Sequence, residues 1–379
     1  MPPAPLAAFS IGQSDIYPFY FKLGLLSKQT VLSSDEIENP LNLLAGHFDL
    51  AFTIVYLFPL MVLALTYNLV SEEKENQTLA LSLSQPVRLS ALVAQKVLFR
   101  ASLLLALTIV FALIAAAADG GLSEPGAPSR LLLWAGAVIA YGAFWFALAM
   151  AINALGQSSA TNALILSATW LALVLVIPSA VNAAAETLYP VPSRVEMIQA
   201  MREAARDATN HGSTLLARYF EDHPDMAPAG SGGSAEDASS ITYTVQIKVD
   251  EMTKPVLDHF DDQVIRQQAF TDRFQILSPA IFAQSALNDI SGTGVERYRH
   301  FLAGADTFLT TWKNYFFPRI FKRVNITSAE LQTLPRYTWH EETLDGVARR
   351  AFLAIGGMLL PTVLLALFAI RRLTHYPIV

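Results

Sequence analysis

The sequence predicts an all-α integral membrane protein that also carries a mostly helical extracytoplasmic domain. The first observation is composition: 53% of the 379 residues are hydrophobic, 15% are charged, and the mean hydropathy is +0.38. Soluble domains carry about a quarter charged residues, so this balance indicates a membrane protein. The second is a set of five long apolar segments, and the third is one polar region, residues 186–347, with helical periodicity.

The apolar segments are long enough to cross a bilayer, whose core of about 30 Å requires roughly 20 helical residues. They lie at residues 48–70, 98–118, 131–155, 163–184 and 351–370. A buried core helix is the alternative for each segment taken alone. Five such segments in one chain favour membrane spans, which gives a transmembrane region at residues 48–185 and a last span with its tail at residues 348–379.

The first 47 residues are predicted to lie outside the membrane as an N-terminal segment. They lack the basic region of a signal peptide, and Pro18 and Pro40 interrupt a stretch that is too polar to cross. We expect this segment to pack against the polar insert and to bury part of an aromatic run, formed by Tyr17, Phe19, Tyr20 and Phe21.

Basic residues set the predicted orientation, because cytoplasmic loops are enriched in Lys and Arg. The loop after the first span carries Lys74, Arg88, Lys96 and Arg100, whereas the next two short loops carry a single Arg between them. Placing the basic loop in the cytoplasm puts residues 1–47 and 186–347 outside the membrane. The tail after the last span then lies inside.

The insert at residues 186–347 holds 22 acidic and 15 basic residues, so the negative net charge of the chain belongs to it. Its sequence predicts helices at about 192–223, 243–279 and 295–321, with a short strand as an option at the start of the second. The aromatic residues Trp312, Tyr315, Phe316 and Phe317 favour a core seam over a ligand groove. The cluster Asp258, His259, Asp261 and Asp262 favours a solvated helix face over a metal site.

Several chemistries have no motif in this chain. There is no GxxxxGK[ST] phosphate loop, no HExxH zinc motif and no cysteine, and no cluster of cations indicates nucleic-acid binding. The spans are almost free of charge, which argues against a secondary transporter or pump that binds a coupling ion at depth. The sequence therefore predicts no enzyme activity, cofactor or metal in the chain itself.

The polar stretch "SEEKENQTLALSLSQPVRLSALVAQK" lies between the first two spans, on the predicted cytoplasmic side. Glutamates at its start favour a helix N-terminus through the macrodipole, and Pro86 breaks that helix and suits the first turn of a second one at residues 87–97. The expected result is a helix–turn–helix elbow, residues 71–97, with a protruding tip near residues 84–88. A simple surface-lying connector is the alternative.

This stretch resembles the signature of ABC-2 type transporter permeases, close to E-x-E-x-G-T-L-x-x-L-L-S-x-P-V-x-R with a later Lys. In that family the loop is a coupling helix that docks on a cytoplasmic ATPase, and Gln77 stands where the family has glycine. The resemblance assigns ATPase coupling to eight matching residues, which are Glu73, Glu75, Thr78, Leu79, Ser84, Pro86, Val87 and Lys96. Arg88, at the expected tip of the elbow, is predicted as a ninth coupling residue.

The resemblance implies a permease subunit of an ATP-binding-cassette transporter in a bacterial inner membrane, acting as an exporter. Separate ATPase subunits would bind ATP and Mg²⁺, and a second permease chain, identical or a sister, would complete the path within the lipid. The family has six spans with a large external loop before the last, so a further apolar helix is expected upstream of Met1. The alternatives are a mechanical transmitter that moves its external domain, and a membrane-anchored binding protein.

Overall fold

The structure is a computed structural model that describes residues 1–12, 14, 20, 48–118, 120–227, 238–322, 324 and 327–376. Within these residues every regular element is helical, and no strand occurs. Five helices are long and apolar enough to cross a membrane, which confirms the predicted multi-pass architecture. They are α1 (Leu50–Glu75), α3 (Leu89–Ala118), α4 (Ala127–Asn153), α5 (Ser159–Leu188) and α11 (Leu344–Thr374).

Shorter helices form the elbow and the insert. A helix of five residues, α2 (Leu79–Leu83), lies between α1 and α3. The insert contains α6 (Arg194–Asn210), α7 (Gly212–Asp222), α8 (Ala238–Phe274), α9 (Pro279–Ser291) and α10 (Val295–Phe321). The optional strand near residue 243 is wrong, because that stretch lies inside the continuous helix α8.

Two spans leave regular α-helical geometry one turn before a proline. A π-helical segment covers Thr53–Leu57 ahead of Pro59 in α1, and another covers Leu171–Val176 ahead of Pro178 in α5. Proline has no N–H, so the carbonyl four residues earlier loses its helical donor. In α1 that carbonyl belongs to Val55, and the hydroxyl of Tyr141 donates to it at 2.8 Å. A side chain of α4 therefore satisfies the backbone where the span is interrupted.

The main core surrounds α4, the most deeply buried of the five spans. Its rings Trp134, Tyr141 and Trp145 are fully buried. The insert helix α9 belongs to the same core, because Ala283, Leu287 and neighbours pack between α4 and α11. One helix of the insert is thus part of the membrane bundle.

The rest of the insert has two small cores of its own. Ala204 and Ala208 of α6 pack on Val249 of α8. An aromatic seam joins α7, α8 and α10, in which the rings of Tyr243 and Phe317 are 3.7 Å apart. Phe316 is buried, and its ring lies tilted against that of Trp312 at 4.5 Å, so the predicted aromatic residues form packing seams rather than an open groove.

The first twelve residues lie against the insert end of the bundle. Leu6 and Phe9 are buried in the main core, and Phe9 meets Trp134 edge-on at 5.2 Å. Ser10 donates to Asn288 of α9 at 2.6 Å. The aromatic run at residues 17–21 lies outside the described residues except for Tyr20, which is exposed.

Candidate functional site: the elbow and the cavity at the opposite end

The elbow departs from regular helix at its centre. α1 ends at Glu75. Gln77 follows with a φ of +60°, a left-handed conformation that residues other than glycine rarely adopt. The predicted unbroken first helix is therefore wrong, because the chain turns here before α2. The turn occurs at the position where the resembling permeases carry glycine, and Gln77 is the only non-glycine residue with positive φ in the described part of the chain.

The second helix of the elbow is the start of a span. It begins at Leu89 rather than residue 87 and continues without interruption to Ala118. Pro86 consequently lies in the preceding loop instead of in the first helical turn, and the amide of Val87 donates to the carbonyl of Gln85 at 2.7 Å. The end of the elbow and the span α3 therefore form one continuous helix.

Polar contacts tether the elbow to the bundle. Lys96 donates to Glu73 at 2.6 Å and to the carbonyl of Leu69 at 3.2 Å, which ties α3 to α1. The Glu75 carboxylate accepts from the amide and the hydroxyl of Ser159, at 2.7 and 2.9 Å, which ties α1 to the start of α5. Three spans thus meet at the glutamates of the predicted motif.

Apolar side chains seal the same junction. Leu79 of α2 is 5% exposed, and it packs in a cluster with Leu89 and Val93 of α3. The cluster continues through residues of α1, α4 and α11 to Tyr376. Leu79 therefore anchors the elbow and is not available to a partner.

The opposite face of the elbow is exposed. Thr78, Ser84, Pro86, Val87 and Arg88 all lie on the surface, and Val87 is 43% exposed. Leu81, which the sequence did not single out, is 73% exposed. The nine predicted residues therefore separate into two groups. The inner group holds the elbow and consists of Glu73, Glu75, Leu79 and Lys96. The outer group is exposed and consists of Thr78, Ser84, Pro86, Val87 and Arg88. We call Leu81 and residues 84–88 the tip.

Buried amides lie one turn behind the elbow. Asn153 donates to the carbonyl of Thr66 at 2.8 Å, and Asn162 donates to Asn153 at 3.3 Å. Both asparagines are fully buried, so these bonds between helices form in an apolar environment where each is hard to replace. Asn153 of α4 thus joins α1 and α5 through these bonds.

A network of charges closes the insert end of the bundle. Arg297 forms a two-pronged ion pair with Glu341, with both N···O distances at 2.7 Å. Arg350 bridges Glu342 and Asp289 at 2.6 and 2.9 Å. Burial alone would raise the pKa of Glu341, but the hydrogen bonds and charge of Arg297, aided by Trp339 and Arg130, lower that pKa below its ordinary value.

An open cavity of about 430 Å³ lies beside this network. Its lining comes from the spans α1, α5 and α11 and from the insert helices α8, α9 and α10. The sequence did not predict this cavity. The prolines inside the first and fourth spans, Pro59 and Pro178, were its only sign in the sequence. The alternative of a metal site in the insert concerned residues at exposed positions of α8, which are Asp258, His259, Asp261 and Asp262. No metal-binding cluster occurs among the described residues.

Comparison with known proteins identifies one family model. It is described as a domain of unknown function, DUF3526, and it matches residues 194–340, which is less than half of the chain. The match covers α6 to α10 and the connection toward α11. No curated protein and no solved structure matches the chain.

Proposed function

We propose that this chain is the permease subunit of an ATP-binding-cassette exporter and that its elbow is the contact with a cytoplasmic ATPase. The observation that carries the proposal is the division of the elbow into a tethered inner face and an exposed tip. In the tip, Leu81 is 73% exposed and Val87 is 43% exposed. Both belong, with Arg88, to an elbow that its inner contacts tether to the bundle. Isolated exposed apolar residues are ordinary, but a rigidly held group of them fits a docking contact.

The tethers provide a route for force. Closure of the ATPase subunits would push the tip, and the contacts of Glu73, Lys96 and Glu75 would pass the displacement to α1, α3 and α5 together. Rigid-body movement of packed helices is a common form of such transitions. The proposal places ATP and Mg²⁺ on the ATPase and none on this chain.

The basic residues at the elbow end support the proposed membrane orientation. Lys74, Arg88 and Lys96 lie there together with Arg371 and Arg372 of α11, which favours a cytoplasmic elbow, and the resemblance to ABC-2 type permeases favours a bacterial inner membrane. The insert then lies on the extracytoplasmic side. A second permease chain, identical or a sister, would complete the transport path.

The decisive experiment changes the tip alone. We expect the double variant Leu81→Asp with Val87→Asp to lose ATPase binding at least tenfold, because it places two charges in an apolar contact. The tagged full-length chain is purified from its native membrane, the co-purifying protein is labelled with azido-ATP, and ATP hydrolysis is measured. Leu331→Asp, at a leucine of the insert that is 55% exposed, is the matched control.

Two results would overturn the coupling proposal. One is a double variant that retains the labelled ATPase and its hydrolysis at the level of wild type. The other is an equal loss in the Leu331→Asp control, which would indicate general damage rather than a contact at the tip.

A mechanical transmitter is the second candidate, and the embedded helix α9 favours it. Because α9 packs between α4 and α11, movement of the spans would also move the insert. Gly357→Ala, whose Cβ would lie 2.5 Å from the ring of Phe282 in α9, would loosen this contact and impair a transmitter. An exporter with the same substitution would still hydrolyse ATP in response to its substrate, so substrate-stimulated hydrolysis separates the two functions.

A further inference from the structure

Apolar and polar side chains both line the cavity at the insert end. The spans contribute Tyr56 and Pro178 together with the polar Asn182 and Arg350. The insert contributes apolar residues such as Ile281 and Val295, and amides, hydroxyls and carboxylates that include Gln268, Asp272 and Gln284. Its volume of about 430 Å³ lies within the range of small-molecule sites, about 300–1,000 Å³. The lining therefore fits a molecule that has both an apolar and a polar part.

Both interrupted spans face this cavity at their π-helical segments. Val55 and Tyr56 come from the segment in α1, and Val174 comes from the segment in α5. Side chains also donate to neighbouring carbonyls of both segments: Trp170 donates to Tyr56 at 3.2 Å, and Ser278 donates to Leu173. Short π segments are frequent at functional sites, and here two of them converge on one space.

The lining of the cavity carries an excess of negative charge. Three acidic residues and one arginine line it. Arg350 is already shared between Asp289 and Glu342, and Glu296 pairs with Arg299 at 2.9 Å. Asp272 accepts a hydrogen bond from the neutral Gln268 and has no ion-pair partner among the described residues. A cation is the charge that this carboxylate would attract.

We propose that the cavity binds an amphiphile with a cationic head group and an apolar chain. The head group contacts Asp272 and the surrounding amides, and the chain lies along the partly exposed apolar side chains of the lining, Tyr56, Pro178 and Ile281. That such molecules are the transported substrate rests on the proposed function. The binding itself does not, because every group that forms the cavity belongs to this chain.

The test is a titration of the purified full chain in phosphatidylcholine nanodiscs, with empty nanodiscs subtracted. Decyltrimethylammonium is the cationic probe, and decyl sulfate, with the same chain length, is the anionic control. We expect saturable binding of the cation only, and a loss of about tenfold in affinity in Asp272→Asn. Asp262→Asn, an identical change at an exposed site on the same helix outside the cavity, should bind as wild type does.

Equal affinity of Asp272→Asn and wild type, or equal binding of decyl sulfate, would overturn the inference. The thermal unfolding midpoint of both variants is measured first, and an exposed Asp→Asn change should leave it unaltered. No ATPase is present in the titration, so its failure leaves the coupling proposal standing. Loss of the ATPase contact, in turn, leaves the cavity proposal standing.

Discussion

Gln77 is a single residue that sets the geometry of the elbow. Its positive φ allows the chain to turn between the end of α1 and α2, so that Leu79 reaches the apolar cluster below. A left-handed conformation costs a residue with a Cβ about 1–2 kcal/mol. The glycine of the resembling permeases would avoid this cost, whereas Gln77 adopts the conformation because the contacts on either side of the turn fix the chain.

Gln77→Gly should therefore stabilise the protein by up to about 1 kcal/mol, after the added flexibility of the unfolded chain is subtracted. The measurement is the thermal unfolding midpoint of the purified protein. Gln85→Gly is the control, because Gln85 is exposed in the same elbow and has no positive φ. A midpoint for Gln77→Gly no higher than that of Gln85→Gly would contradict the argument.

Glu341 gives a prediction about pH. Its pKa is lowered in the folded protein, mainly by Arg297 acting against burial, so its contribution to stability is present above the pKa of an unfolded glutamate, about 4.3. That contribution is lost as the pH falls through the lowered folded pKa. The unfolding midpoint of wild type should fall toward that of Glu341→Gln between pH 6 and about pH 3. A constant gap between the two proteins would disprove it.

At the scale of elements, the interrupted span α1 depends on a side chain from α4. Tyr141 is fully buried, and its hydroxyl supplies the donor that Pro59 cannot give to Val55. Removal of that hydroxyl leaves a carbonyl unpaired in apolar surroundings, which costs about 1–3 kcal/mol.

Tyr141→Phe should lower the free energy of unfolding by that amount while it leaves the packing of the ring unchanged. The comparison is with Tyr67→Phe, because the hydroxyl of Tyr67 makes no hydrogen bond to a described residue. Unfolding of both variants in the same detergent gives the difference. If both substitutions have the same effect, the hydroxyl of Tyr141 does not stabilise the interrupted turn.

At the scale of the whole molecule, α9 joins the insert to the bundle, and two adjacent glycines of α11 test that junction. A Cβ at Gly357 would lie 2.5 Å from the ring of Phe282 in α9, whereas a Cβ at Gly356 would meet nothing within 4 Å. Close approach of α9 and α11 therefore requires the glycine at 357.

Gly357→Ala should destabilise the protein by about 1–3 kcal/mol, since overpacking forces α9 away from α11. Gly356→Ala should be neutral or slightly stabilising, because alanine favours the helix. Limited proteolysis of the insert and the unfolding midpoint report the two effects. Equal behaviour of the two variants would mean that α9 is not held tightly against the bundle.

Much of the architecture follows from local sequence. Long apolar segments partition into the bilayer individually, so the five spans could be located from hydropathy alone. The third insert helix was predicted at residues 295–321, where the structure places Val295–Phe321, because its periodicity is strong and Gly294 precedes it. The elbow could be located from its polarity, its glutamates and the resemblance to a known loop.

Contacts between distant residues required the tertiary structure. The pairing of Glu73 with Lys96 separates tethering residues from tip residues, although all of them belong to one motif. The embedding of α9 and the convergence of two π segments on a cavity join α1, α5, α8 and α9. Hydropathy and periodicity describe each helix alone, whereas these features arise from which helices pack together, and that choice depends on side-chain shape across the whole chain.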